Sequence, residues 1–161
     1  MTLIPYLLYL FLIACYEILL RPPLTFAGVS ICLAPLLVVT VAVYKSELTS
    51  LWFGFAVGLL LGAADPRFMG WLTLSTATLG LMAFYIRTRL NLDSLKARLL
   101  LVFGGVFTYN IVLLIIHWSH QFILRVFDTA LPDAIYTLLL AWVFFCIKDG
   151  RWTLARFKAL F

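Results

Sequence analysis

Six apolar runs separated by short polar breaks constrain this chain more than any other feature. They cover residues 3–20, 24–44, 49–64, 69–86, 99–117 and 131–147. About 20 apolar residues in a helix are enough to cross a hydrocarbon core of about 30 Å. The chain is 65% hydrophobic and 12% charged, whereas a soluble domain is about 45–50% apolar and about 25% charged. The pattern predicts an all-α integral membrane protein, a six-transmembrane-helix bundle forming one domain over residues 1–161.

Basic residues are distributed unevenly between the two sides of this predicted bundle. If the N-terminus is cytoplasmic, nine of the 12 Lys and Arg residues lie inside and three lie outside. The predicted inner residues are Lys45, Arg87, Arg89, Lys96, Arg98, Lys148, Arg151, Arg156 and Lys158, and the outer ones are Arg21, Arg67 and Arg125. Cytoplasmic loops of membrane proteins carry an excess of Lys and Arg. The bias therefore predicts that both the N- and C-termini are cytoplasmic.

Two segments outside the apolar runs are predicted to lie on the membrane surface. In the tail, 148–161, the basic residues Arg151, Arg156 and Lys158 alternate with aromatic and aliphatic side chains. Such an amphipathic basic segment suits the anionic cytoplasmic leaflet. On the outer side, residues 121–127 place apolar side chains around a single arginine, which predicts a short helix along that surface.

A row of glycines marks the third apolar run. Gly54, Gly58 and Gly62 recur every four residues, so they share one face of a helix. Small residues at this spacing let a second helix approach closely. We favour packing within the bundle because the run, 49–64, is short, and a subunit interface is the alternative. The pair Gly104-Gly105 is a weaker instance in the fifth run.

Three polar side chains lie within or at the ends of the predicted helices, where a polar group is a functional hypothesis by default. Glu17 is four residues before Arg21, so an ion pair at the outer interface is favoured over a ligand or proton role. Asp65 follows the third run, and we expect it to make a turn and a helix cap. Asn110 is the most deeply placed amide, and an interhelical hydrogen bond is favoured over ligand contact.

The sequence lacks the motifs of catalysis and metal binding. It contains no P-loop, GxSxG, HExxH or carboxylate pair. Cys15, Cys32 and Cys146 show no CxxC spacing, which favours buried apolar roles. His117 and His120 can share a helical face, but a metal site needs further ligands, so an interfacial belt is favoured. The sparse charge also argues against a nucleic-acid surface, and we expect neither an enzyme nor a bound cofactor.

Several short motifs lie between Arg21 and Leu90. They are Arg21-Pro22, Pro35-Leu36-Leu37, Gly54-Phe55-Ala56-Val57-Gly58-Leu59-Leu60-Leu61, and Gly70 before an apolar helix that ends in Tyr85, Arg87 and Arg89. With these motifs the sequence resembles the MreD family, the small membrane subunit of the bacterial rod-shape machinery, or elongasome. The resemblance implies a fold similar to the S-component of energy-coupling-factor (ECF) transporters. It also implies a non-catalytic scaffold in the bacterial cytoplasmic membrane that binds MreC and other elongasome proteins and couples the cytoskeleton to peptidoglycan synthesis.

The resemblance also suggests contact surfaces. Helix packing or a partner interface would use Gly54, Gly58, Gly62 and Gly70. Cytoplasmic contacts would come from the basic residues Arg87, Arg89, Lys96, Arg98, Arg151, Arg156 and Lys158. The outer loop from His117 to Leu131 would face the periplasmic side of MreC.

A transporter subunit is the alternative from another functional class. A substrate-binding S-component of an ECF-type vitamin transporter has a similar size and about six helices. It should offer polar groups that converge on a cavity. The candidates for such ligand contacts are Glu17, Asp65, Asn110 and His117, so the arrangement of these side chains distinguishes the two hypotheses.

Overall fold

The computed structural model describes residues 4–20, 30–89, 94–116 and 122–148, and every secondary-structure element within them is helical. The main helices are α1 (Ile4–Cys15), α2 (Leu33–Tyr44), α3 (Glu47–Gly62), α4 (Met69–Arg89), α5 (Leu95–Ile116) and α6 (Leu131–Lys148). A π-helical turn, Tyr16–Leu20, extends α1, and a 3₁₀ turn, Pro66–Phe68, precedes α4. One α-helical turn, Phe122–Arg125, and a π-helical turn, Val126–Ala130, lead into α6.

Three helical stretches are long and apolar enough to cross a membrane: Pro66–Arg89, Leu95–Ile116 and Phe122–Ile147. The three other apolar helices, Tyr6–Leu20, Leu33–Tyr44 and Glu47–Gly62, are shorter. The predicted all-helical class is therefore confirmed for the described residues. Of the six predicted spans, three correspond to helices that are long enough to cross a membrane.

Helix boundaries differ from the apolar runs at two places. The second run was expected to be helical over 24–44, of which residues 24–29 lie outside the described residues. Residues 30–32 are not helical and α2 begins at Leu33, which places Pro35 in the first turn, where its missing N–H is tolerated. The last run was expected to begin at 131 after a separate surface helix. The helical stretch instead begins at Phe122 and runs into α6. A π-helical turn ends two residues before Pro132, whose ring nitrogen has no hydrogen to donate to the preceding turn.

Helix α2 lies at the centre of the bundle. Every residue from Leu33 to Val43 is buried, and α2 contacts each of the five other main helices. A helix that is apolar on all sides can be accommodated only where neighbours surround it. At twelve residues, α2 is about 18 Å long, shorter than a hydrocarbon core. Its burial means that it does not face lipid by itself.

The outer surface of the bundle is rich in large apolar side chains. Phe11 is 71% exposed, Ile18 is 75% exposed and Ile123 is 72% exposed, and many similar residues surround the bundle. Soluble monomers rarely expose such continuous apolar surface. The buried interior, in contrast, includes hydroxyl and amide side chains such as Ser50, Thr76 and Asn110. This distribution suits a protein whose outer solvent is lipid.

The glycine row of α3 packs against α4. A Cβ atom on Gly54 would lie 2.5 Å from the carbonyl oxygen of Thr76, and one on Gly58 would overlap Thr73. A Cβ atom on Gly62 would lie 2.6 Å from the Cγ of Met69. The backbones approach so closely that no side chain fits between them. The glycine row thus serves packing within the bundle, and α4 occupies the face that a partner subunit would need.

Two further positions in this pair of helices were not anticipated correctly. Gly80 of α4 meets the carbonyl oxygen of Ser50, at 2.7 Å from a Cβ atom, and so continues the close contact toward the start of α3. Gly70, for which helix packing or a partner interface was expected, does not pack against another helix: it is exposed, and a Cβ atom there would meet no described atom within 4 Å. Met69 takes the position against Gly62, so Gly70 points away from α3.

Substitution of Gly58 tests the close contact, with Gly70 as a matched control. We expect Gly58→Leu to lower the free energy of unfolding by about 3 kcal/mol, because the side chain overlaps the backbone of α4. Gly70→Leu should leave stability unchanged or slightly raised, since leucine favours helix over glycine. Unfolding of both variants in mixed detergent micelles measures the difference. Equal stability of the two would mean that α3 and α4 are not in close contact.

Candidate functional site

A short non-helical segment before α2 is tied to three other parts of the chain. We call the end of the bundle where α2 begins the Asp133 end. The hydroxyl of Tyr16 donates a hydrogen bond to the carbonyl oxygen of Ile31 at 2.7 Å. The amide of Ser30 donates to Asp133 Oδ1 at 2.7 Å, and the amide of Cys32 donates to Thr137 Oγ1 at 3.0 Å.

These bonds satisfy backbone groups that a regular helix would have satisfied by itself. Non-helical backbone at membrane depth is tolerated where protein groups bond to it. The carboxylate of Asp133 also lies near the N-terminus of α2, where negative charge is favoured. Cys32, which precedes α2, makes no side-chain cap. Side chains of α6 and of the turn after α1 therefore hold the backbone that leads into α2.

Asn110 extends this cluster to α5. Its side chain is 7% exposed, and its Oδ1 accepts a hydrogen bond from the thiol of Cys32 at 3.4 Å. Its Nδ2 donates to the carbonyl oxygen of Ala130 at 3.5 Å. Asn110 thus connects α5 to the start of α2 and to the π-helical turn before α6, the interhelical role expected for it.

The sequence reasoning missed Asp133 and Thr137. Their spacing, four residues apart at the start of a long apolar helix, was a usable signal, because both side chains must lie on one face. Thr137 is fully buried and also donates to the carbonyl oxygen of Asp133 at 2.7 Å. Cys32 was expected to be a small apolar residue, and its bond to Asn110 gives it a polar role as well.

The opposite end of the bundle, which we call the Arg87 end, holds the C-terminus of α2. Arg87 Nη1 donates to the carbonyl oxygens of Ala42 at 3.1 Å and Lys45 at 2.8 Å. The last carbonyls of a helix lack partners of their own, and a cation there also complements the helix dipole. The guanidinium group further lies 5.9 Å from the centre of the Phe84 ring. Arg87 is therefore a cap supplied to α2 by α4.

The other basic residues at the Arg87 end divide into two kinds. Arg98 is half-buried and donates to the hydroxyl of Tyr44 at 3.4 Å, and Lys45 lies 6.0 Å from the centre of the Tyr6 ring. Arg89 and Lys96 are exposed, and neither makes a hydrogen bond or ion pair with another described residue. The side chains of Arg89 and Lys96 are therefore available for contacts with other molecules at this end.

A long groove separates α4 from α5 on the outer surface. It has a volume of about 630 Å³ and runs from Trp71 and Ile116 near the Asp133 end to Ile86 and Leu100 near the Arg87 end. Apolar side chains form its walls, and Gly104 lies at its surface with open space around it. The groove opens sideways, toward the apolar surroundings of the bundle.

Two of the other predicted residues, Glu17 and Asp65, lie in turns at the ends of helices. Glu17 is half-buried in the π-helical turn after α1, and its expected partner Arg21 lies outside the described residues. Asp65 forms the turn before α4 through its backbone, whose carbonyl oxygen accepts from the amide of Phe68. Its side chain makes no cap hydrogen bond, so the expected capping role was wrong. His117, His120, Arg151, Arg156 and Lys158 also lie outside the described residues.

The described residues contain no group of three or more His, Cys, Asp or Glu side chains able to hold a metal ion. All three cysteines lie within the described ranges and are free thiols.

Comparisons of the chain with protein-family models, with curated proteins and with solved structures find no match.

The bond between Thr137 and Cys32 can be tested by an isosteric change. We expect Thr137→Val to lower the free energy of unfolding by about 1–3 kcal/mol, because it leaves the amide of Cys32 without a partner. Thr78→Val is the control, since the Thr78 hydroxyl is exposed and bonds to carbonyls of its own helix. The control should change stability by less than about 0.5 kcal/mol. Similar losses in both variants would contradict the bridging role of Thr137.

Removal of the Arg87 cap provides a second test. Arg87→Gln should lower the free energy of unfolding by about 2 kcal/mol, because charged donors to two carbonyl oxygens are lost. Arg89→Gln removes the same charge two residues later and should have little effect. Detergent unfolding measures both variants, and an equal loss for Arg89→Gln would show that charge, and not the cap, matters.

Proposed function

We propose that this chain is a non-catalytic membrane scaffold of the bacterial rod-shape machinery, as its resemblance to the MreD family implies. It crosses the cytoplasmic membrane six times and binds MreC and other elongasome proteins. In this role it couples the cytoskeleton to peptidoglycan synthesis on the other side of the membrane.

The six crossings are supported by how the shorter helices are placed. Helices α1, α2 and α3 pack in one bundle with the three membrane-length stretches. A short crossing is tolerated when protein surrounds it, because lipid does not have to match its length. Helix α2 meets this condition on all sides, and the backbone before it is bonded to Tyr16, Asp133 and Thr137.

The observation that carries the scaffold proposal is the use of the buried polar groups. Asn110 accepts a hydrogen bond from the Cys32 thiol and donates one to the carbonyl oxygen of Ala130. Thr137 accepts a hydrogen bond from the amide of Cys32. A substrate-binding subunit needs such groups directed into a cavity, where they can hold a polar ligand. Here they hold helices together, which favours a rigid structural body over a vitamin-binding subunit.

The charge distribution supports the same orientation and role. The positive-inside bias assigns the Arg87 end to the cytoplasm. Arg89 and Lys96 are exposed there, so they are available to acidic groups on the cytoplasmic side. Arg87 and Arg98 were expected to make such contacts too, but their side chains bond within the bundle.

Affinity purification tests the proposal. The tagged chain, expressed at native level in a rod-shaped bacterium that it complements, is extracted in mild detergent, and the recovered proteins are identified by mass spectrometry. We expect MreC and other elongasome proteins to be enriched at least about tenfold over a tagged membrane protein of similar size and unrelated function.

The competing function gives a different result in the same experiment. Recovery of ATPase subunits of a transporter, or of a bound vitamin, in place of MreC would show that the chain is a transporter component. The Gly70→Leu variant serves as a control for folding, because its exposed position should leave the fold unchanged.

A further inference from the structure

The groove between α4 and α5 has an apolar lining along its whole length. On α4, the lining residues recur at helical spacing from Trp71 through Leu74, Thr78 and Met82 to Ile86. The first and last of these positions are 15 residues apart, or about 22 Å along the helix axis. The groove therefore extends over most of a hydrocarbon core of about 30 Å.

The hydroxyl protons of the serine and the two threonines in the groove are already used in hydrogen bonds. Thr78 Oγ1 donates to the carbonyl oxygen of Leu74 at 2.8 Å, and Thr108 Oγ1 donates to that of Gly104 at 2.7 Å. Ser75 Oγ likewise donates to the carbonyl oxygen of Leu72 at 2.9 Å. Because these donors are used within their own helices, the groove presents mainly hydrocarbon. An apolar chain suits it better than a polar metabolite does.

Positive charge lies at one mouth of the groove. Arg89 follows the lining residue Ile86 by three residues on α4, so it continues the same face of the helix. Lys96 precedes the lining residue Leu100 by one turn on α5. Both side chains are exposed and make no hydrogen bond or ion pair with another described residue. An apolar groove that ends in two available cations matches a molecule with an anionic head and an apolar tail.

We propose that the groove binds an anionic phospholipid of the cytoplasmic leaflet. Its phosphate lies between Arg89 and Lys96, and an acyl chain lies along Met82, Ile86 and Gly104. Basic pockets between transmembrane helices on the cytoplasmic side bind anionic headgroups in this way. One leaflet is about 15 Å thick, or about ten helical residues, so the chain reaches from Arg89 to the level of Leu79.

Charge also distinguishes this occupant from a second copy of the chain. Two copies inserted in the same orientation and joined through this groove would bring their Arg89 and Lys96 side chains toward each other. Like charges at close range repel, most strongly where water is scarce. A phosphate neutralises the same side chains. The inference rests on the proposed membrane orientation but not on binding to MreC, so the two proposals have separate readouts.

Lipid binding can be measured by native mass spectrometry of the purified chain titrated with phosphatidylglycerol or with zwitterionic phosphatidylethanolamine. The test variant is Arg89→Gln with Lys96→Gln. Each basic residue near the headgroup contributes about fivefold in affinity, so the double variant should bind phosphatidylglycerol about 25-fold more weakly. The matched control is Arg67→Gln with Arg125→Gln, which removes two exposed charges from the opposite end. The control should keep the affinity of the original chain.

A third variant tests the apolar part of the site. Gly104→Leu fills the groove, and a Cβ atom there meets no described atom within 4 Å, so the fold should tolerate it. We expect it to weaken binding of both lipids. The proposal is overturned if the double charge variant binds phosphatidylglycerol as tightly as the original chain, or if the original chain binds both lipids equally. It is also overturned if Gly104→Leu releases a bound protein while phosphatidylglycerol binding is unchanged.

Discussion

Helix α2 is buried on every side, so the other helices must supply both its packing and the hydrogen-bond partners for its ends. An apolar helix inside a bundle has no contact with solvent, so both of its ends need hydrogen-bond partners from the protein. Tyr16, Asp133 and Thr137 bond to the backbone before it, and Arg87 bonds to the carbonyls at its end. These side chains belong to α4, α6 and the turn after α1. The same few bonds that complete α2 therefore also fix the positions of three other parts of the bundle.

The close approach of α3 and α4 has consequences on both faces of α4. Glycines on α3 allow one face of α4, which carries Thr73, Thr76 and Gly80, to pack directly against the α3 backbone. The hydroxyls of Thr73 and Thr76 bond within their own helix, so the close contact at the glycines depends on shape and not on hydrogen bonds from these side chains. The other face of α4 is left to form the groove with α5. Packing of α3 thus determines which surface of α4 meets the surrounding lipid.

Polar groups inside and outside the bundle have different uses. The buried polar groups, such as Asn110 and Thr137, form hydrogen bonds between helices. These bonds avoid the free-energy cost of an unpaired polar group in an apolar medium. The exposed basic side chains Arg89 and Lys96 lie at one end, beside an apolar groove. Such a bundle offers neighbours in the membrane an apolar surface with basic side chains at one edge. That combination suits a scaffold, and a bound anionic lipid would belong to the same surface.

The sequence by itself determined the helical class, the approximate number of apolar segments and the glycine row of α3, because these depend on composition and on local periodicity. It also indicated that Asn110 would bond between helices, since a buried amide requires a partner. It could not show where α2 begins, because the bonds that replace the missing helical turn come from residues about 15 to 105 positions away. Nor could it separate Arg87, which caps α2, from Arg89, which is exposed. The two arginines have the same chemistry and similar surroundings in the chain, and only the packing of α4 against α2 decides which of them is used inside the protein.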